Sequence, residues 1–117
     1  MTLTVTLPIR TESEANSSWH EHWSKKNKRR KEQHDAVKIG LYNHRAAIKG
    51  HDNYTITLTR IAPRGFDGDN LQRSFKACRD QIATEIGIDD GSKRITWNYT
   101  QEKGKPREYA VRIEIRA

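Results

Sequence analysis

Hydrophobic and polar residues alternate in four separate stretches of this chain. Over residues 2–9, Leu3, Val5, Leu7 and Ile9 alternate with threonines and Pro8. A period of two marks a strand with one apolar face and one hydroxyl face, and Pro8 puts a fray or a sheet edge at its end. The same alternation returns over 53–61 (Tyr54, Ile56, Leu58), over 94–100 (Ile95, Trp97, Tyr99) and over 108–116 (Tyr109, Val111, Ile113, Ile115). Between the first two stretches the spacing turns helical. After a polar loop over 11–17, Ser17 or Ser18 can cap a long helix running to about Ile48. Trp19 and Trp23 pack at its start, and Val37, Leu41 and Ile48 resume the spacing later. Gly40 marks a candidate kink and Gly50 a candidate end.

A second helix is expected from Asp69 to near Gly87. Leu71, Phe75, Cys78, Ile82 and Ile86 share one stripe of it, and Asp69, Arg73, Lys76 and Asp80 share the opposite one. The order βαβαββ predicts an α+β domain spanning residues 1–117, one mixed four-stranded sheet with helices packed on one face. Gly104 and its neighbours are expected to join the last two strands as a hairpin.

Composition adds a partner to this picture. Only 33% of the 117 residues are hydrophobic, a thin supply for one core, so burial against a second copy, a homodimer, is expected. A formal net charge of +7 and a pI near 9.8 suit nucleic acid, an anionic membrane surface or an acidic protein. No segment approaches the ~20 apolar residues of a membrane span, and the first residues read as a strand, not a signal peptide. A cytoplasmic protein with no membrane partner is expected. Cys78 is the sole cysteine, which excludes an intrachain disulfide and a cysteine zinc cluster; its helical position suits an inert core thiol. His20-Glu21-His22 lacks the four-residue spacing of a helical zinc motif.

The chemistry concentrates at the two ends of the second helix, at Asp67-Gly68-Asp69-Asn70 and at Ile88-Asp89-Asp90-Gly91. Clustered carboxylates repel, and a divalent cation such as Mg²⁺, which prefers oxygen ligands, relieves that repulsion. An acidic pocket on a basic body suits phosphodiester cleavage. A second reading is equally compatible with the spacing. Asp69 would be an N-cap with Gln72 completing a capping box, Asp89-Asp90-Gly91 a surface turn, and the Arg73, Lys76 and Asp80 charges ordinary ion pairs.

Taken together, Phe66-Asp67-Gly68-Asp69-Asn70-Leu71, Lys76-Ala77-x-Arg79-Asp80, Ile86-Gly87-Ile88-Asp89-Asp90 and Arg94-Ile95-Thr96-Trp97 resemble the RusA family. These are small Holliday-junction resolvases of phages and prophages. The resemblance covers about residues 64–100. It implies a homodimer that binds four-way junction DNA in a bacterial cytoplasm and cuts two strands symmetrically with Mg²⁺ or Mn²⁺. It implies Asp67, Asp69 and Asp90 as catalytic metal ligands and a helical lysine as the active-site cation. Here the family's lysine position, directly after Asn-Leu-Gln, holds Arg73, and Lys76 is taken as the working lysine. Asn70, Arg73 and Asp89 are supporting or alternative site residues. The departure at Arg73 keeps a second outcome open: a non-catalytic DNA-binding protein with a decayed RusA-like site.

For a junction binder, the run Lys25, Lys26, Lys28, Arg29, Arg30 and Lys31 becomes a phosphate-contacting face. Arg64, Lys93, Arg94, Lys103, Lys105 and Arg107 extend the basic surface. Phe66 either wedges into the junction centre or packs under its loop.

Overall fold

The computed structural model describes residues 1–11 and 23–117. The expected cap at Ser17 or Ser18, Trp19, the Trp23 side chain and His20-Glu21-His22 lie outside the described residues. The elements run β1 (Thr2–Leu7), α1 (Trp23–Leu41), a 3-10 turn (Tyr42–His44), α2 (Arg45–Ile48), β2 (Tyr54–Ala62), α3 (Gly68–Ser74), α4 (Lys76–Ile86), β3 (Ile95–Lys103) and β4 (Ala110–Arg116). The fold is α+β with one mixed four-stranded sheet, in the order β1-β4-β2-β3.

β4 pairs antiparallel with both β1 and β2, whereas β3 lies parallel to β2. The expected β3–β4 hairpin is therefore wrong. A parallel neighbour needs a crossover connection, and α3–α4 supplies one between β2 and β3. β4 then fills the slot between β1 and β2, where Val111, Ile113 and Ile115 are fully buried. The connection passes close over the end of β2: the Gly104 N–H donates to the Ala62 carbonyl at 2.8 Å. A Cβ on Gly104 would meet the Glu108 carbonyl and Ile61 Cγ2 at 3.2 Å, so a bulkier residue there would crowd the crossing.

All of the expected apolar stripe is buried. Leu71, Phe75, Cys78, Ile82 and Ile86 join Val37, Leu41 and Ile48 over Tyr54, Ile56, Leu58 and the buried row of β4. Each such side chain contributes on the order of 1.5–3 kcal/mol relative to exposure. Burial raises the Cys78 thiol to about 12, consistent with an inert core position. A polar seam locks α1 and α2 to α4. His34 Nδ1 lies 3.0 Å from Gln81 Oε1, and Arg45 Nε donates at 2.8 Å to the buried Glu85.

Both expected helices are interrupted. The first passes through Gly40 and ends one residue later, in a 3-10 turn. Gly40 is small because α1 lies against Leu7, into which a Cβ would project. The second breaks at Phe75 (φ −93°, ψ 2°). There the Ser74 hydroxyl donates to the Leu71 carbonyl at 2.7 Å and the Phe75 N–H turns to the Gln72 carbonyl at 3.2 Å. A hydroxyl competing for a helix carbonyl bends the chain. Gly87 ends α4 at φ +84°, its N–H bonded to the Ala83 carbonyl at 2.8 Å.

The outer sheet face is a lattice of threonines and charges. Arg112 on β4 reaches across β2 to Glu102 on β3, with two bonds of 2.8 and 2.9 Å. That bridge roofs Thr59, which is 1% exposed although it points away from the helices. The Arg112 hydrogen bond holds the Glu102 carboxyl below the usual range. A depressed acid contributes stability above its unfolded pKa of ~4.3 and loses it as pH falls through the folded value. Glu102→Gln is expected to flatten the acid side of the stability profile below about pH 4.5, read by urea melts at stepped pH. An unchanged acid limb would show that the bridge contributes nothing.

Candidate functional site

Both acidic loops dock on one strand. β3 turns Ile95, Trp97, Tyr99 and Gln101 toward the helices, and after Ile95 these residues carry polar groups. At a rise of about 3.3 Å per residue, Trp97 and Gln101 stand roughly 13 Å apart along the edge of the sheet.

Gln101 holds the first loop. Its carboxamide accepts from the Phe66 N–H at 2.9 Å and donates to the Phe66 carbonyl at 2.8 Å, a two-point pairing that mimics a neighbouring peptide. Gly65 permits the approach, since a Cβ there would meet Gln101 Oε1 at 3.3 Å. From below, Arg60 is only 5% exposed. Its Nε donates to Thr11 Oγ1 at 2.9 Å, its Nη1 donates to the Arg64 carbonyl, and its guanidinium lies 3.5 Å from the Phe66 ring centroid. Phe66 is thus half-buried beneath the loop, packed against the core.

The next residue, Asp67, caps α3. Its Oδ1 accepts from the Asn70 N–H at 3.0 Å. The cap expected at Asp69 therefore belongs to Asp67, and Asp69 sits exposed in the first turn. A preceding loop fixed at Phe66 sets where the chain can turn into the helix, and that selects Asp67.

The second loop is held by Arg79, Trp97 and Tyr99. The Asp90 carbonyl accepts from Trp97 Nε1 at 2.9 Å and from Arg79 Nη2 at 3.1 Å. Arg79 Nη1 donates to the Tyr99 hydroxyl at 2.7 Å, and the guanidinium lies 5.0 Å from the Trp97 ring centroid. Arg79 Nε is 3.1 Å from the Asp90 carboxylate, a charge contact without hydrogen-bond alignment. Tyr99 in turn stacks on Phe75 at 5.9 Å and 18°. The Gly91 N–H, at 3.0 Å, holds the exposed Asp89 carboxyl below the usual range, and a hydrogen bond shared with Asp90 adds to this.

Asp67 and Asp69 at the start of α3 and Asp90 in the second loop do not form a single ligand set. Among the described residues no three His, Cys, Asp or Glu side chains group closely enough to hold a metal ion. The donor type fits Mg²⁺ or Mn²⁺; the grouping does not complete a protein-only site. Mg²⁺ commonly takes one or two carboxylates and fills its octahedron with water and substrate phosphates.

The cations gather between α1 and the α3–α4 segment. The break at Phe75 puts Arg73 and Lys76 on different helices. Lys76 Nζ pairs forward with Asp80 at 3.3 Å, away from the Asp69 end of the segment. Arg73 and Lys76 line one cleft of about 230 Å³ with Arg29 and Arg30 of α1. Along the basic run Lys25, Lys28, Arg30 and Lys31 are exposed, Lys26 and Arg29 are half-buried, and Lys31 pairs with Asp35 at 2.9 Å. Arg64 is exposed, whereas Arg94 is tied to the His51 and Asp52 carbonyls at 2.6 and 2.8 Å.

Sequence reasoning missed Arg60, Arg79 and Gln101 as organisers. Arg60 left a legible signal, a charge at an apolar position of an alternating strand; Arg79 stands inside the motif Lys76-Ala77-x-Arg79-Asp80 with no role to mark it, and Gln101 left no signal. Comparison with models of known protein families gives no match, and comparison with curated proteins gives none either. No described helix is long and apolar enough to cross a membrane.

Arg79→Lys removes the planar fork that serves Tyr99 and Asp90 together. It is expected to cost about 1–3 kcal/mol of unfolding free energy by urea titration, with a change in Trp97 fluorescence. A loss within about 0.5 kcal/mol, the range of ordinary surface changes, would remove Arg79 from this role.

Proposed function

We propose that this chain is a metal-dependent endodeoxyribonuclease of the RusA kind, resolving four-way DNA junctions as a homodimer. The observation that carries the reading is the docking of both acidic loops on β3. Gln101 fixes the backbone of Phe66, the neighbour of Asp67, and Trp97 with Arg79 fixes the Asp90 carbonyl, which supports a site that presents carboxylates at set positions. A bound Mg²⁺ or Mn²⁺ would polarise the scissile phosphate and acidify an attacking water.

The chain's own groups do the rest. Asp67 commits one oxygen to the helix cap, which fixes the orientation of its carboxylate. Asp69, exposed in the first turn of α3, is available to accept a proton from water. Lys76 and Arg73 supply positive charge against a phosphate, and Asn70 and Asp89 support the two loops. A two-fold dimer matches a junction that needs two symmetric cuts. The resemblance also implies a phage- or prophage-encoded protein acting in DNA recombination in a bacterial cytoplasm.

A second reading has its own support: a junction-binding protein that no longer cuts. The Arg79 ion pair gives Asp90 a structural partner that a metal would have to compete with, and Arg73 stands where the family's lysine is expected.

One assay separates the two. A labelled four-way junction is incubated with saturating protein, with and without Mg²⁺, so that binding losses do not pass for catalytic ones. Wild type is expected to give paired symmetric nicks only with the metal. Asp67→Asn and Asp90→Asn are expected to lower single-turnover cleavage by at least ~100-fold, the scale set by losing a main electrostatic group, with junction binding kept. Binding without cleavage by wild type selects the second reading, and full cleavage by either variant removes that aspartate from the site.

A further inference from the structure

Only Arg29 and Arg30 of the basic run of α1 line a cleft among the described residues. α1 and α4 run alongside each other in the same sense, with Gln33 against Cys78 and His34 against Gln81. Extended toward the N-terminal ends, that register brings Arg29 and Arg30 to the junction of α3 and α4, where Arg73 and Lys76 stand. The result is the cleft of about 230 Å³ described above. A second cavity of about 280 Å³ adjoins it on the β1 side of α1 and shares Arg29 and Gln33. Arg10, whose guanidinium lies 4.3 Å from the Tyr109 ring centroid, lines it too, with Glu32 the one carboxylate among the described lining residues.

Five cations from four segments of the chain, Arg10, Arg29, Arg30, Arg73 and Lys76, thereby border two joined clefts. Four of them are arginines, whose planar forks suit phosphate oxygens. Charged and polar side chains are the majority of the described residues lining both clefts, which suits a charged backbone.

We infer that these joined clefts form a track for consecutive backbone phosphates of one DNA strand, with Arg29 and Arg30 at its centre. The track crosses α1 from the end of β1 to the start of α4. Lys25, Lys26, Lys28 and Lys31 lie outside it and contribute only to the general field. The inference rests on the nucleic-acid part of the proposed function but not on cleavage. Arg73 and Lys76 act here as phosphate contacts, whatever their part in chemistry.

The test compares charge-matched pairs. Arg29→Gln with Arg30→Gln, and Lys28→Gln with Lys31→Gln, are titrated by fluorescence anisotropy against a labelled duplex and a labelled four-way junction. The buffer contains EDTA, and salt is stepped. The arginine pair is expected to bind at least ~10-fold more weakly than wild type and to lower the salt slope by roughly 0.9 for each phosphate left unneutralised. The lysine pair is expected to change affinity by less than about threefold, as a long-range field screened by salt predicts. Circular dichroism and protection of Cys78 from a thiol reagent verify that each variant is folded, and single Arg30→Gln replaces the pair if it is not.

Equal losses from both pairs, a larger loss from the lysines, or no DNA binding by wild type would overturn the track. Intact track behaviour in a chain that never cleaves would leave the inference standing and dismiss the nuclease. Cleavage by a chain whose two pairs lose binding equally would do the reverse.

Discussion

The parallel pairing of β3 with β2 is the constraint on which the rest depends. It makes β3 an edge strand and sends the chain through α3 and α4 to reach it. The acidic loops at the two ends of that crossover must then return to the strand on which they converge. Trp97, Tyr99 and Gln101 meet them there with an indole N–H, a phenol and a carboxamide. An edge that would otherwise bury only apolar side chains instead becomes a bracket for backbone groups. Arg60 and Arg79 complete it from β2 and α4. Each is an arginine placed where its apolar stem can pack while its fork bonds several acceptors at once.

How much of this was legible in the sequence depended on whether a residue acts through period or through partner. The four strands and the buried stripe Leu71-Phe75-Cys78-Ile82-Ile86 followed from alternation and helical spacing, because burial is a property of a face. The position of β4 did not follow. A short turn between two alternating strands reads as a hairpin, and only the demand of β2 for partners on both edges shows why β4 lies in the middle. The break at Phe75 escaped for a similar reason: Ser74 is an ordinary helix residue until its hydroxyl takes a carbonyl. Of the candidate site, the aspartates were visible as a motif, whereas the side chains that aim them are separated from them by up to about 35 positions in the chain, the span between Phe66 and Gln101.

Those same distinctions reorganise the charges. In sequence the basic run from Lys25 to Lys31 reads as one block, and Arg73 and Lys76 as rivals for one role. In the fold, Arg29 and Arg30 of that run line a cleft with α3 and α4, and its lysines do not. Arg73 and Lys76 then share a cleft, and Lys76 already has Asp80 as a partner. The cations of this cleft and the aspartates docked on β3 occupy separate linings of the same molecule. That pairing of opposite charges, more than any single residue, is what the proposed role on nucleic acid rests on.

Hydrogen exchange of the two acidic loops tests the bracket most directly. Gln101→Ala removes the two-point pairing with Phe66, and Trp97→Phe removes one donor to Asp90 while keeping an aromatic ring. If β3 is the bracket, the first variant speeds exchange across residues 66–71 and leaves 88–92 near wild type, and the second does the opposite. β2 and β4 stay protected in both. Unchanged exchange in both loops, or a loss of protection spread evenly through the sheet, would contradict the claim that these side chains hold the acidic residues in place.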